Sequence, residues 1–315
     1  MKSLLLNRLI GSMVVLGAAH AAAEPANVAG IEAANRNVAL HVARSMLGNG
    51  DLQEVGRHIA PHLIAHDPAM ASGRSGMLAA IDTLRRSLRG YTLTVKHALA
   101  DRDLVLVHSH LSATPANEKS GLNRIDIYRL DKGMVVEHWS LGGAAAQSSA
   151  SGNSAFSDLY QYAGTPPVLS RERVELNRLL VTNLSEEVFG KQNFALLERF
   201  WAPGYIQHNP YVGNGRAALA GVIEYISMPG KSYRVTHSLG GRDLTAVCAH
   251  TSDPGRNPDN QFEGVMVCDL YRVVNYELVE HWDVYQAIPA SSVSGNAMVS
   301  SLYGANQRQG TPGRP

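Results

Sequence analysis

Residues 126–139, DIYRLDKGMVVEHW, alternate large apolar with polar positions on either side of a short polar break. That is the pattern of a β-hairpin with one buried face. Residues 269–282, DLYRVVNYELVEHW, align with this stretch without a gap and share its Asp, Tyr, Arg, Val, Glu, His and Trp. The surroundings repeat as well. Residues 27–47 carry apolar side chains at helical spacing (Ile31, Val38, Val42, Met46) and close on Gly48-Asn49-Gly50-Asp51, whose residues tolerate left-handed turns. A second, short helix is predicted from Asp51, and a third through Met77, Ile81 and Leu84 after Gly73-Arg74. Residues 91–98 and 103–110 then alternate as strands, a polar loop follows at 114–120, and the Asp126 hairpin closes the unit.

The second half replays this order. Asn177-Arg178 answers Asn35-Arg36, Ala202-Pro203 answers Ala60-Pro61, His208-Asn209-Pro210 answers His66-Asp67-Pro68, and Gly215-Arg216 answers Gly73-Arg74. Arg242-Asp243-Leu244 answers Arg102-Asp103-Leu104, and His250 answers His110. Ser151-Gly152-Asn153 with Leu159-Tyr160 returns as Ser294-Gly295-Asn296 with Leu302-Tyr303. The expectation is an α+β chain built from a duplicated domain, helices first and an antiparallel or mixed sheet after them. Two copies are too few for a solenoid, so a pseudo-symmetric pair is expected. The boundaries read as a signal peptide at 1–23, a first domain at 27–143, a linker and trailing segment at 144–170, a second domain at 171–288 and a C-terminal tail at 289–315. A chain of 315 residues can bury two such cores.

Charge narrows the partners. The net charge is +1, only 17% of residues are charged, and no basic run follows the first residues, so nucleic acid and anionic membrane surfaces are not expected partners. A small apolar molecule is. Met1-Lys2, Arg8, the apolar run Leu9 to Ala19 and Ala21-Ala22-Ala23 match a secretory signal, which predicts a periplasmic or secreted protein. The apolar run falls short of the roughly 20 residues that span a bilayer, so no membrane association is expected after cleavage.

Asp126 and Asp269 fall in mid-strand, where Asp is disfavoured and an isolated buried carboxylate is costly. A carboxylate in an apolar pocket has its pKa raised and can accept and return a proton. His66 and His208 are placed to orient such a group or to donate to a developing enolate, and His110 and His250 form a second pair. Against this stands a structural reading of Asp-x-Tyr-Arg as an ion-pair network. Glu137-His138-Trp139 and Glu280-His281-Trp282 read as packing and hairpin anchors. Arg74 and Arg216 read as helix-terminal partners, and Gly73 and Gly215 as turn glycines. His108-Ser109-His110 with His66 or Asp126 resembles a zinc or iron ligand set, but the second half has Cys248 in place of His108 and no tight multi-ligand motif occurs. No metal and no cofactor are expected. No Gly-x-Ser-x-Gly elbow supports a hydrolase. The cysteines, Cys248 and Cys268, allow at most one disulfide. Period two puts Cys248 on the face of His250 and Cys268 on the face opposite Asp269, so a pocket shared by His250 and Asp269 predicts free thiols.

An initial helical part, His-Asn-Pro with a following Gly-Arg, a strand ending in His, and Asp-x-Tyr-Arg with Val-Glu-His-Trp-Asp together resemble the SnoaL-like polyketide cyclase family of the nuclear transport factor 2-like superfamily. The second half fits best, through Tyr205-Ile206-Gln207-His208-Asn209-Pro210 and Val279-Glu280-His281-Trp282-Asp283; the first departs at Asp67 and Ser140. The resemblance covers nearly all of the mature chain, once per half. It implies a cone-shaped domain whose curved sheet and helices enclose a deep apolar pocket, commonly dimerising through the outer sheet face. Here that means an internal pseudo-dimer, with further homo-oligomerisation left open. It also implies a cofactor-free catalyst that uses an acidic residue to move a proton next to a carbonyl during aldol-type ring closure, at the positions of Asp126 and Asp269. The candidate catalytic set is Asp269, His208, His250, Asp126, His66 and His110, with substrate contacts from Tyr205, Asn209, Tyr271, Trp282, Tyr128 and Trp139. A non-catalytic binding or interaction module is the alternative.

Overall fold

The structure, a computed structural model, describes residues 27–303. The signal-peptide reading and the end of the tail lie outside them. Helix α1 (Val28–Arg44) starts where Asn27 Oδ1 accepts the Gly30 N–H at 3.1 Å, and it buries Ala39, Leu40, Val42 and Ala43. Helix α2 (Leu52–Gly56) is capped in the same way by Asp51. Strand β1 (Ile59–Ala65) follows. Gly73, at φ 91° and donating its N–H to Leu63 O at 2.7 Å, then turns the chain into α3 (Arg74–Ser87). Strands β2 (Thr92–Asp101), β3 (Leu104–Ser112), β4 (Leu122–Asp131) and β5 (Met134–Ala144) complete a sheet ordered β1-β5-β4-β3-β2. Its first pair is parallel and the rest are antiparallel.

The second half repeats the plan. Helix α4 (Arg171–Ser185) runs into a π-helical turn at Glu186–Gly190, and α5 (Leu197–Phe200) leads into β6 (Trp201–Gln207). Helix α6 (Ala220–Ile226) precedes β7 (Ser232–Gly241), β8 (Leu244–Ser252), β9 (Val265–Val274) and β10 (Glu277–Ala287), and the sheet order is β6-β10-β9-β8-β7. The two repeated stretches are the β4-β5 and β9-β10 hairpins, and the α+β duplication holds.

Each sheet buries both faces. The inner face of the first packs Val105, Val107, Tyr128 and Leu130 against α1 and α3; that of the second packs Val247, Tyr271 and Val273 against Leu180, Val181 and Phe200. The outer faces pack on each other, with Leu106, Ile127 and Trp139 of one half meeting Ala246, Leu270 and Trp282 of the other. This seam is the internal pseudo-dimer. Its polar members are also paired by pseudo-symmetry: His97 lies 4.4 Å from the Trp282 ring and His237 lies 4.6 Å from the Trp139 ring, centroid to centroid.

The cysteines are bonded, which corrects the expectation of free thiols. The register of β8 on β9 sets Cys248 opposite Cys268 and Val247 opposite Asp269, so both sulfurs lie on the outer face with His250. Parity along each strand was sound, but the long β8-β9 connection, not parity, sets which faces coincide. The bond closes a loop with a sequence separation of 20 residues. Reduction is expected to lower stability by about 3 kcal/mol, read as the shift between urea unfolding curves with and without reductant.

The trailing segments are exchanged between halves. Residues that follow β5 lie on the second half: Asn153 Nδ2 donates to Gln207 O at 2.9 Å, Trp282 Nε1 donates to Ser157 O at 2.8 Å, and Leu159 N donates to Glu280 Oε1 at 2.7 Å. Residues that follow β10 return the same contacts to the first half: Asn296 Nδ2 to Ala65 O at 3.0 Å, Trp139 Nε1 to Ser300 O at 2.8 Å, and Leu302 N to Glu137 Oε1 at 2.6 Å. Much of the repeated sequence therefore serves two reciprocal straps. The recurrent Ser-Gly-Asn and Leu-Tyr pairs lie in the straps, and the Glu and Trp of Val-Glu-His-Trp are their docking points.

Candidate functional site

Strands β9 and β10 place Asp269, Tyr271, His281 and Asp283 on the inner face of the second sheet, while Leu270 and Trp282 between them go to the outer core. The antiparallel register sets Asp269 directly opposite Asp283 and Tyr271 opposite His281. Two facing carboxylates repel, and His281 relieves them: its Nε2 lies 2.9 Å from Asp269 Oδ1. Asn209 Nδ2 donates to Asp283 Oδ2.

The proton count at this pair follows from Gln207. Its Oε1 accepts the backbone N–H groups of His208 and Asn209, each at 2.9 Å, which identifies that atom as the amide oxygen. His281 Nδ1, 2.6 Å from the same oxygen, must then be the donor. The Nε2 contact to Asp269 consequently holds a second proton, either on the imidazole or on the carboxyl. Burial opposes charge on His281, but the hydrogen bond to Asp269 and the charges of Asp283 and Asp269 outweigh it and raise its pKa. Burial, and then the neighbouring Asp269, raises Asp283 as well. Asp269 Oδ2 makes no hydrogen bond among the described residues.

These groups sit in a cavity of about 670 Å³ between the sheet and the helices. Phe189, Trp201, Tyr205, Tyr233 and Tyr271 form its aromatic wall, and the exposed Tyr211, Tyr225 and Tyr285 ring its mouth. Burial lifts the Tyr205, Tyr233 and Tyr271 hydroxyls well above their ordinary value, so they remain protonated donors. Among the described residues, no Arg or Lys lines the cavity.

The first half answers each feature differently. His138 Nε2 lies 2.9 Å from Asp126 Oδ1, but Ala65 replaces Gln207 and His138 Nδ1 is buried without a partner. Arg124, where the second half has Val267, grips both Asp126 oxygens at 2.8 and 2.7 Å. Burial alone would raise Asp126, but the Arg124 charge and the hydrogen bonds from His138 and Arg124 hold it down to about 2. Ser140 Oγ donates to Asp67 Oδ2 at 2.5 Å, the reverse polarity of Asn209 and Asp283. The cavity here, about 580 Å³, is lined by Met46, Met70, Met77 and alanines together with Asp67, Arg124 and His138, and by no Phe, Tyr or Trp among the described residues.

Of the predicted residues, Asp269, Tyr205, Asn209 and Tyr271 line the second cavity together. Asp126 is fully buried under Arg124, and Tyr128 is buried beside His138 with its hydroxyl unpartnered. The remainder lie elsewhere. His208 bonds Glu280 Oε1 at 2.9 Å and stacks on Trp282, and His66 bonds Glu137 Oε1 at 2.8 Å and stacks on Trp139; both fasten straps and neither touches the acid. His250 and His110 face outward, their Nε2 atoms reaching Glu263 O and Ser120 O, so His250 does not share the Asp269 pocket. Trp139 and Trp282 belong to the seam rather than to a substrate wall. Arg272 pairs with Glu280 and Asp158 on that same side. The His108-His110 ligand set does not assemble either, since His108 contacts His97 and Asn123. His281, Asp283 and Gln207 are the positions of this candidate site that residue-level reading missed. Among the described residues, two groups bring three metal-capable donors within 4.8 Å of one another: Asp269, His281 and Asp283 here, and His41, Glu54 and His58 on the first half.

Residues 40–138 match the family profile of the SnoaL-like domain. Among solved structures, the chain is similar to a SnoaL-like family protein of Agrobacterium tumefaciens, at 16% identity and a TM-score of 0.30, over 35% of this chain and 98% of that one. It is also similar to IdmH of Streptomyces antibioticus, provisionally classed as a polyketide cyclase, at 19% identity and a TM-score of 0.28, over 34% of this chain and 89% of that one. TsrD of Streptomyces laurentii matches at 22% identity and a TM-score of 0.28, over 35% and 88% of the two chains. No curated protein matches.

Proposed function

We propose, from the premise that this chain carries a SnoaL-like domain and repeats its fold in tandem, that the second cavity is a cofactor-independent acid/base site for a small, largely apolar carbonyl compound. The observation that carries this reading is the Asp269–His281 pair, a carboxyl group with one oxygen held by an imidazole and the other unbonded, in an aromatic cavity with no Arg or Lys among its described lining residues. Asp269 takes a proton from the carbon next to the carbonyl, and His281 steadies the charge that changes there. The tyrosine hydroxyls of the cavity wall donate to the enolate oxygen as it forms. Return of the proton to another carbon gives an isomerisation, and attack of the enolate on a second carbonyl gives an aldol-type cyclisation. The N-terminal pattern supports a reading of export to the periplasm or the outside of the cell. For the first cavity, the Arg124 clamp on Asp126 favours non-catalytic binding of a small molecule.

The test is solvent-deuterium incorporation into 1-tetralone and a panel of aryl and alkyl ketones, followed by proton NMR. Exchange above the buffer rate, unchanged by a chelator of divalent metals, is the expected result; no exchange with any ketone sinks the catalytic reading. Gln207→Ala, which orphans His281 Nδ1 as His138 Nδ1 is orphaned, is expected to slow exchange about tenfold or more.

A further inference from the structure

We propose that His41, Glu54 and His58 form a binding site for a zinc-class divalent cation on the surface of the first half. His41 projects from the last turn of α1, Glu54 from α2, and His58 from the turn just before β1. Glu54 already bridges the two imidazoles: His41 Nε2 lies 2.7 Å from its Oε2 and His58 Nε2 lies 3.5 Å from its Oε1. The rings meet edge to face at 5.0 Å, and one donor atom from each residue falls within 4.8 Å of the others.

Two imidazole nitrogens and one carboxylate oxygen suit zinc and its late first-row neighbours, not magnesium or calcium, which prefer all-oxygen shells. Bonds of about 2.0–2.1 Å in a tetrahedron place donors roughly 3.3 Å apart, against the 4.8 Å that bounds their present separations. The two imidazoles contact different Glu54 oxygens and must converge on one of them, and with side chains 40% and 34% exposed they can do so by rotamer adjustment. The backbone beneath is held in place. Ser45 Oγ donates to His41 O at 2.8 Å, His58 N donates to Val55 O at 3.0 Å, and Val135 N donates to His58 O at 2.8 Å. A bound ion would leave a fourth position for water and tie α1 to the start of β1.

The repeat supplies an internal comparison. The positions answering His41, Glu54 and His58 are Asn183, Leu196 and Phe200, none of which binds zinc well. The duplicated scaffold therefore folds without the trio, and the second half's residues serve as substitutions the fold has already accepted.

Zinc would be titrated calorimetrically into the full chain, into the double variant His41→Asn/His58→Phe, into Glu54→Gln and into Asp283→Asn. Expected is one ion per chain with a Kd on the order of 10 μM, weakened about tenfold or more by Glu54→Gln and lost in the double variant, but retained in Asp283→Asn. Metal-free melting curves of the variants show whether each is folded, and Glu54→Gln decides if the double variant is not. The proposal is overturned if the natural chain binds no zinc, if binding survives Glu54→Gln and the double variant undiminished, or if it is lost in Asp283→Asn, which would put the ion in the second cavity.

Discussion

Asp269→Asn is expected to reduce deuterium incorporation into the ketone by roughly 10²–10⁴-fold, the contribution of a positioned general base. The amide keeps the shape of the carboxyl and can still bond His281, so folding and ligand affinity should change little while the chemical step is lost. Asp126→Asn should leave the rate of the folded protein unaltered, because Arg124 already occupies both oxygens of that carboxylate. Equal losses from both substitutions would mean that the two cavities share the work, and an Asp269→Asn enzyme of full activity would remove Asp269 from the mechanism. The measurement is the initial exchange rate at saturating ketone, with a melting curve for each variant.

Acid should open this protein well above the range in which carboxylates titrate. Three histidines of the seam are buried and uncharged in the folded state. Burial first, and then His108, lowers His97 to about 2; burial lowers His108 to about 4 against the hydrogen bond it donates to Asn123 Oδ1; burial, and then Arg129, lowers His237 to about 3. In the unfolded chain each titrates near 6.5. Below that pH the unfolded state takes up protons that the folded state refuses, so stability is complete above about 6.5 and falls as pH drops, by about 1.4 kcal/mol per unit for each histidine. His281 acts in the opposite sense, since its raised pKa adds stability on acidification that is fully present below 6.5. It does not offset the loss at lower pH. A loss of several kcal/mol between pH 6.5 and 5 is expected in urea titrations, and replacing His237 by Leu should make the slope shallower. A flat profile over that interval would mean that the seam admits protons or water without opening.

The α+β duplication was legible because two gapless copies of one hairpin pattern leave little room for another architecture. The site was less so. Repetition drew attention to His66 and His208, yet the repeated contacts of both belong to the straps, which any two halves exchanging tails must keep. His281 was hidden by its neighbours, since Glu280 and Trp282 are structural and the motif was read as a unit. A bulge between Leu278 and Glu280 hid it further. Counting back from the turn at Asn275-Tyr276 pairs Leu278 with Val273, a register that would bring Trp282 opposite Asp269; the shift brings Asp283 there instead. Nothing in residue type announces such a bulge. Arg124, by contrast, stood in plain view two residues before Asp126, on the same strand face.

The covalent pairing of the halves has an evolutionary corollary. In a dimer of identical subunits, every change to the pocket is made twice, so a mutation that disables the acid disables both copies at once. In this chain the reciprocal straps keep the pair together while each half follows its own line of descent. An arginine at position 124 and a valine at position 267 can coexist only under such separate inheritance, and they let one molecule carry a clamped acid beside an unclamped one.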